Sequence, residues 1–128
     1  MEQVFVNGSL MRGCALAHLL ESATFLKSAE TAPVYRLYSI DDVYPGMVLA
    51  RPDQDGYPIE GELYEMTDDL WRRIDAGEKR LGLYRGPIWL ADGRAALGML
   101  CPRPRVEGLY PDISSFRSWK RYKASLSS

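Results

Sequence analysis

One stretch of this chain, Thr67 to Ala76, is marked as a helix at both ends, and that scarcity limits what the remaining residues can build. Thr67 suits the capping position, Asp68 and Asp69 suit the positive end of the helix dipole, and Met66 is placed to staple against Trp71. Leu70 and Ile74 supply the buried stripe. Gly77 stands where a left-handed residue closes a helix, so Glu78 is expected just past its end.

Most of the flanking sequence reads as strand. Val4 to Asn7 places Val4 and Val6 on one face and Phe5 on the other, and stops at Gly8. PVYRLYSI, residues 33–40, alternates β-branched and aromatic side chains, and Pro45 with Gly46 marks a turn after it. IEGELYEM, residues 59–66, sets Ile59, Gly61 and Leu63 against Glu60, Glu62 and Tyr64. Asp92-Gly93 is a favoured two-residue hairpin turn that would put Leu90 opposite Ala95 and Ile88 opposite Leu97. Between Gly13 and Ser22 only a short helix fits, and DISSFRSWKRYKASLSS reads as a terminal helix ending in small polar residues. About five strands and two or three short helices, in an order that is not alternating β-α-β, predict an α+β fold. The expected form is a small mixed, mostly antiparallel barrel-like sheet with short flanking helices. The 128 residues, 46% of them hydrophobic, suffice for a single domain over 1–128 with one core.

Charge and cysteine content narrow the function classes. With 16 Lys plus Arg against 17 Asp plus Glu, the net charge of -1 offers no field to hold a polyanion or an anionic membrane. No basic-then-apolar leader and no run of membrane-spanning length is present in the sequence, which reads as cytosolic. Cys14 and Cys101 lack metal-ligand spacing and His18 is the only histidine, so no metal or cofactor is expected. The basic and aromatic FRSWKRYK, residues 116–123, is expected to pack Phe116 and Trp119 inward and leave its charges in water, rather than to bind nucleic acid.

Two places are suited to chemistry. Ser9 does not lie in G-x-S-x-G, and nothing local pairs it with His18; Gly8 and Gly13 are not followed by Gly-Lys-Ser/Thr. What VFVNGSLMRG offers instead is a strand end opening into backbone N–H groups able to hold a carboxylate or a carbonyl oxygen. Among the acidic residues, Glu60 and Glu65 are expected to face solvent. Glu78 is set apart by the helix end, whose unpaired carbonyls would raise its pKa toward that of a general base, with Lys79 and Arg80 opposing. A solvated loop position is the competing expectation for Glu78.

Four stretches in order resemble the gamma-glutamylcyclotransferase-like superfamily: VFVNGSLMRG its opening strand and Tyr-Gly-Ser/Thr-Leu loop, VYPGM its Tyr-Pro-Gly turn, IEGELYEMTDDLWRRIDAGE its Gly-Glu-Leu-Tyr strand, helix and Leu-Asp-x-x-Glu segment, and YRGPIWL the strand after it. Within that superfamily the wording is similar to small proteins related to the C-terminal domain of allophanate hydrolase. The resemblance implies a small mixed barrel with a cavity between the first loop and the Glu segment. It also implies, for members that are cyclotransferases, conversion of a γ-glutamyl amide to 5-oxoproline and a free amine without cofactor or metal. Carried over by position, Asn7, Gly8, Ser9 and Leu10 form the substrate loop and Glu78 is the general acid/base. An arginine in the cavity would favour a carboxylate substrate; of Arg12, Arg36 and Arg85, Arg85 is the first candidate, with a surface position as its alternative. Asn7 stands where the family usually has Tyr, and Lys79 where a Gly typically follows the Glu, which bears on the substrate more than on the fold. The expected partner is a small-molecule substrate, taken by a monomer or homodimer. The allophanate hydrolase likeness adds a step on a urea-derived carboxylate, or a non-catalytic accessory module with an amidase partner.

Overall fold

The computed structural model describes residues 1–127. Seven strands, β1 (Glu2–Val6), β2 (Thr24–Glu30), β3 (Tyr35–Ile40), β4 (Tyr44–Leu49), β5 (Glu60–Met66), β6 (Tyr84–Trp89) and β7 (Ala95–Leu100), accompany helices α1 (Asp68–Arg80) and α2 (Trp119–Ser125). Three single 3-10 turns, the first at Ala17–Leu20, complete the described elements. One sheet runs β2-β5-β1-β7-β6, and β3 with β4 forms a separate ribbon. Among the described strands only β1 and β7 pair in parallel. β1 is the middle strand, and Val4, Phe5 and Val6 are all buried because both its faces are covered.

The α+β class holds, but the expected barrel does not close. The edge strands of the large sheet meet at a single bridge, Thr31 with Leu90. Two residues on, Pro33 has no N–H to extend the pairing, and the chain leaves for the β3–β4 ribbon. The sequence reading also passes over two strands. β2 is an edge strand whose side chains are mostly exposed, so no hydrophobic alternation marks it. β4 contains the Pro45 and Gly46 read as a turn; it pairs with β3 alone, and a ribbon edge accepts proline. The turn itself lies at Asp41 and Asp42, both left-handed at φ 53 and 58, closed by Val43 N–H donating to Ile40 C=O at 3.0 Å.

Two local corrections bear on the site. The β6–β7 hairpin is shifted by one residue from expectation, with Ile88 opposite Ala96 and Trp89 opposite Ala95. Its loop has three residues, Ala91 to Gly93, and Gly93 at φ 88 supplies the left-handed position such a loop needs. Helix α1 starts as expected, with Thr67 Oγ1 accepting from Leu70 N–H at 3.2 Å. It then runs through Gly77 to Arg80, so Glu78 lies in its last turn rather than beyond it. The Asp75–Lys79 pair at 3.3 Å bridges Gly77, Lys79 and Arg80 suit the negative end of the dipole, and the left-handed residue is Gly82, at φ 82. A Cβ on Gly77 would meet nothing within 4 Å. Gly77→Ala is therefore expected to raise stability by about 1 kcal/mol, read as a higher Tm in a thermal melt.

α2 covers only the last part of the predicted terminal helix, starting where Ser118 Oγ accepts from Arg121 N–H at 3.2 Å. Ser128, the final residue of that stretch, lies outside the described residues. No helix among the described residues is long and apolar enough to cross a membrane.

Candidate active site

The end of β1 and the last turn of α1, about seventy positions apart in the chain, face each other across a cleft of about 570 Å³ including its open mouth. Asn7, Gly8, Ser9 and Leu10 form one wall; Trp71, Ile74 and Glu78 form the other. The residues that the resemblance assigns to substrate loop and acid/base are thus brought together.

The loop is held from three sides. Gly8 C=O accepts from Met11 N–H at 3.0 Å, Ser9 C=O accepts from Leu16 N–H at 2.9 Å, and Asn7 Nδ2 donates to Met47 Sδ at 3.4 Å. Its far end is pinned by Glu62, which accepts from Arg12 N–H at 2.8 Å and from Arg12 Nε at 3.1 Å. By contrast, the backbone N–H groups of Gly8, Ser9 and Leu10 donate to no acceptor among the described residues, although Gly8 and Leu10 are buried. Buried donors left open beside a cleft are suited to an anionic ligand oxygen.

Gly8 is required by close approach: a Cβ there would lie 2.8 Å from the Cγ and Cδ atoms of Pro45. Gly8→Ala is expected to push the loop off Pro45, lowering stability by about 1–3 kcal/mol as overpacking does. The loop's N–H groups are expected to be displaced alongside, and a thermal melt checks the loss of stability.

Glu78 is part-buried, and among the described residues no hydrogen bond or ion pair reaches its carboxylate. Burial pushes its pKa from the ordinary 4.5 up to about 6. The direction is the one expected from the sequence, but the cause is loss of water rather than the helix end. Lys79, expected to oppose the shift, is turned to Asp75.

None of the three arginines considered for the cavity lines the cleft. Arg85 does not line the cleft: it is exposed on edge strand β6, opposite Met99. Arg12 is paired with Glu62, and Arg36 with Asp112 at 2.6 Å, so neither is free for a substrate carboxylate. No hydrogen bond joins Ser9 to His18 among the described residues, and His18 is absent from the cleft lining. Tyr44, Pro45, Trp71 and Met99 also line the cleft, and their signals were read locally, as a turn, a staple and a strand. Trp71 Nε1 is buried without an acceptor, a further open donor on a lining residue. No group of three or more His, Cys, Asp or Glu side chains is placed to hold a metal ion among the described residues.

A family model, the allophanate hydrolase C-terminal domain, matches residues 2–124. The chain belongs to the allophanate hydrolase C-terminal domain family. Of solved structures, c4763, a uropathogenic E. coli-specific protein, is 30% identical, with 96% of this chain and 95% of that one aligned at a TM-score of 0.86. Kluyveromyces lactis allophanate hydrolase is 26% identical over 98% of this chain, at a TM-score of 0.85. The match takes up 21% of that larger enzyme, so the family domain occurs both at this length and within a longer chain. The gamma-glutamylcyclotransferase-like fold is shared with an Aig2-like protein of mouse, 19% identical over 88% of this chain and 85% of that one, at a TM-score of 0.69. No curated protein matches the sequence.

Proposed function

We propose that this chain is an enzyme of the cyclotransferase type, acting on a small carboxylate that bears an amine and an amide, with Glu78 as its general acid/base. The observation that carries the reading is a cleft-lining carboxylate without a protein partner, opposite the open N–H groups of Gly8, Ser9 and Leu10. With a pKa of about 6, Glu78 is mostly ionised at neutral pH yet basic enough to take a proton.

In the step proposed, the substrate's own amine attacks its amide carbonyl and loses one proton to Glu78. The new C–N bond closes a ring, the old C–N bond breaks, and Glu78 returns that proton to the leaving nitrogen. The carboxylate ends unchanged, and neither redox chemistry nor an outside nucleophile is required. The N–H groups of Gly8 to Leu10 would hold the substrate carboxylate or the developing oxyanion. Release of free amine from a panel of γ-glutamyl amides and urea-derived carboxylates, wild type beside Glu78→Gln, tests the reading. A loss of about 10²-fold or more in the variant is expected, and turnover at close to the wild-type rate would overturn it.

Family membership favours a second reading, in which the same cleft takes a urea-derived carboxylate supplied by an amidase. The same panel separates the two, since only urea-derived compounds would then release amine. A folded protein inert toward the whole panel would point to a binding module.

A further inference from the structure

A second depression, of about 800 Å³ and open to solvent, adjoins the cleft on the far side of Glu78, between the Ala17–Leu20 turn and α1. Leu16, Leu19, Leu70, Ile74 and Leu81 line it, and Arg73 and Glu78 are its only charged lining residues. Leu16, Leu19 and Leu81 are 40%, 46% and 36% exposed. Single exposed leucines are ordinary, but here three stand around one trough that buried Leu70 and Ile74 also line. Leu10, Leu16, Ile74, Glu78 and Leu81 belong to both depressions, so the two are continuous at the carboxylate.

Gly77 adds a separate observation. It sits within α1 at ordinary helical φ, where glycine weakens a helix and the backbone does not require it. It lines the trough beside Glu78, and the space a side chain would enter is open.

We propose that the substrate's leaving amine carries an apolar chain of several carbons, which lies in this trough while its nitrogen meets Glu78. The inference rests on the cyclotransferase reading, and the orientation follows from it. The open N–H groups of Gly8 to Leu10 line the first cleft and take the acidic end, Glu78 stands at the junction where the C–N bond breaks, and the trough receives what departs.

The test is calorimetric binding of γ-glutamyl methylamide and γ-glutamyl hexylamide to the Glu78→Gln variant, in which turnover is blocked. An open trough that half-buries the chain is worth about twofold per methylene, so the hexylamide is expected to bind about thirtyfold more tightly. Adding Gly77→Phe, which fills the trough, is expected to cut that ratio below threefold, and Leu19→Ser, at an exposed position that tolerates exchange, to lower it by a smaller factor. Equal affinities, no binding of the hexylamide, or a ratio unmoved by either variant overturns the proposal. A wild-type dimer that dissociates on Gly77→Phe, without chain-length dependence, gives the trough to a second copy and also overturns it. Wild-type turnover is scored separately: the expected binding ratio with no amine released from either compound removes the cyclotransferase reading and leaves the trough assigned.

Discussion

Glu78→Gln is expected to lower kcat for amine release by about 10²–10⁴-fold, the usual contribution of a positioned acid/base, and at the same time to make the protein more stable at neutral pH. Both effects have one origin. Burial raises the Glu78 pKa to about 6 from an ordinary 4.5 because no donor replaces the water it loses. A carboxylate with a raised folded-state pKa binds its proton more tightly in the native protein than in the unfolded chain. Its contribution is therefore fully present below about pH 4.5 and lost as the pH rises through about 6. The difference is roughly 2 kcal/mol, or several degrees in Tm for a domain of this size. Glutamine keeps the shape and removes the titration, so the variant is expected to melt above wild type at pH 8 and to lose that advantage at pH 4. In wild type, kcat/KM is expected to fall tenfold per unit below about pH 6. A rate independent of pH between 5 and 7, or a variant no more stable at pH 8, would sink this account of Glu78.

Glu62→Ala is expected to cost about 3 kcal/mol and to release the loop that carries Gly8 to Leu10. Glu62 is 4% exposed and accepts from Arg12 N–H, Arg12 Nε and Tyr64 Oη, with Lys120 Nζ 3.7 Å away. It therefore ties the loop after β1 and the first turn of α2 to β5. Burial alone would raise its pKa, but the bonds from Arg12 and Tyr64 and the charge of Lys120 outweigh it and leave the pKa below 4.5. Tyr64 is pushed up to about 12, first by burial and then by the Glu62 charge. Alanine leaves the Tyr64 hydroxyl without an acceptor in a buried setting and frees Arg12, an exposed residue, from its anchor. Glu62→Gln, which keeps one carbonyl acceptor, is expected to lose about half as much. The sign with pH is opposite to that of Glu78: the stabilisation from Glu62 is present above pH 4.5 and lost as the pH falls through its lower folded value. Denaturant titrations of the three proteins at pH 7 and pH 4 check this, with the gap between variants and wild type narrower at pH 4. Activity adds a second readout, because a loosened loop raises KM before it touches kcat.

Much of what positions these groups was legible in the residues themselves. The Thr67 cap, the acidic first turn and the buried Leu70 and Ile74 were read correctly because each depends on neighbours within one or two helical turns. The element pattern was enough for the α+β class, and four motifs in order were enough for the gamma-glutamylcyclotransferase-like fold and the likeness to the allophanate hydrolase C-terminal domain. β2 and β4 were not legible: one is an edge with little apolar alternation, the other holds proline and glycine that read as a turn. Arg85, a cavity candidate with a surface position as its alternative, takes that alternative because strand order puts it on an exposed edge.

The sequence alone therefore determined the short-range features, including the capped helix and the strands with apolar alternation, since their energies are set by residues adjacent in the chain. Only the tertiary structure decided the open sheet, the one-residue hairpin shift and the burial of Glu78. Those depend on which distant segments exclude water from one another: Pro45 against Gly8, and the last turn of α1 against the end of β1. A carboxylate pKa near 6 is a property of that enclosure, and no stretch of residues around position 78 encodes it by itself.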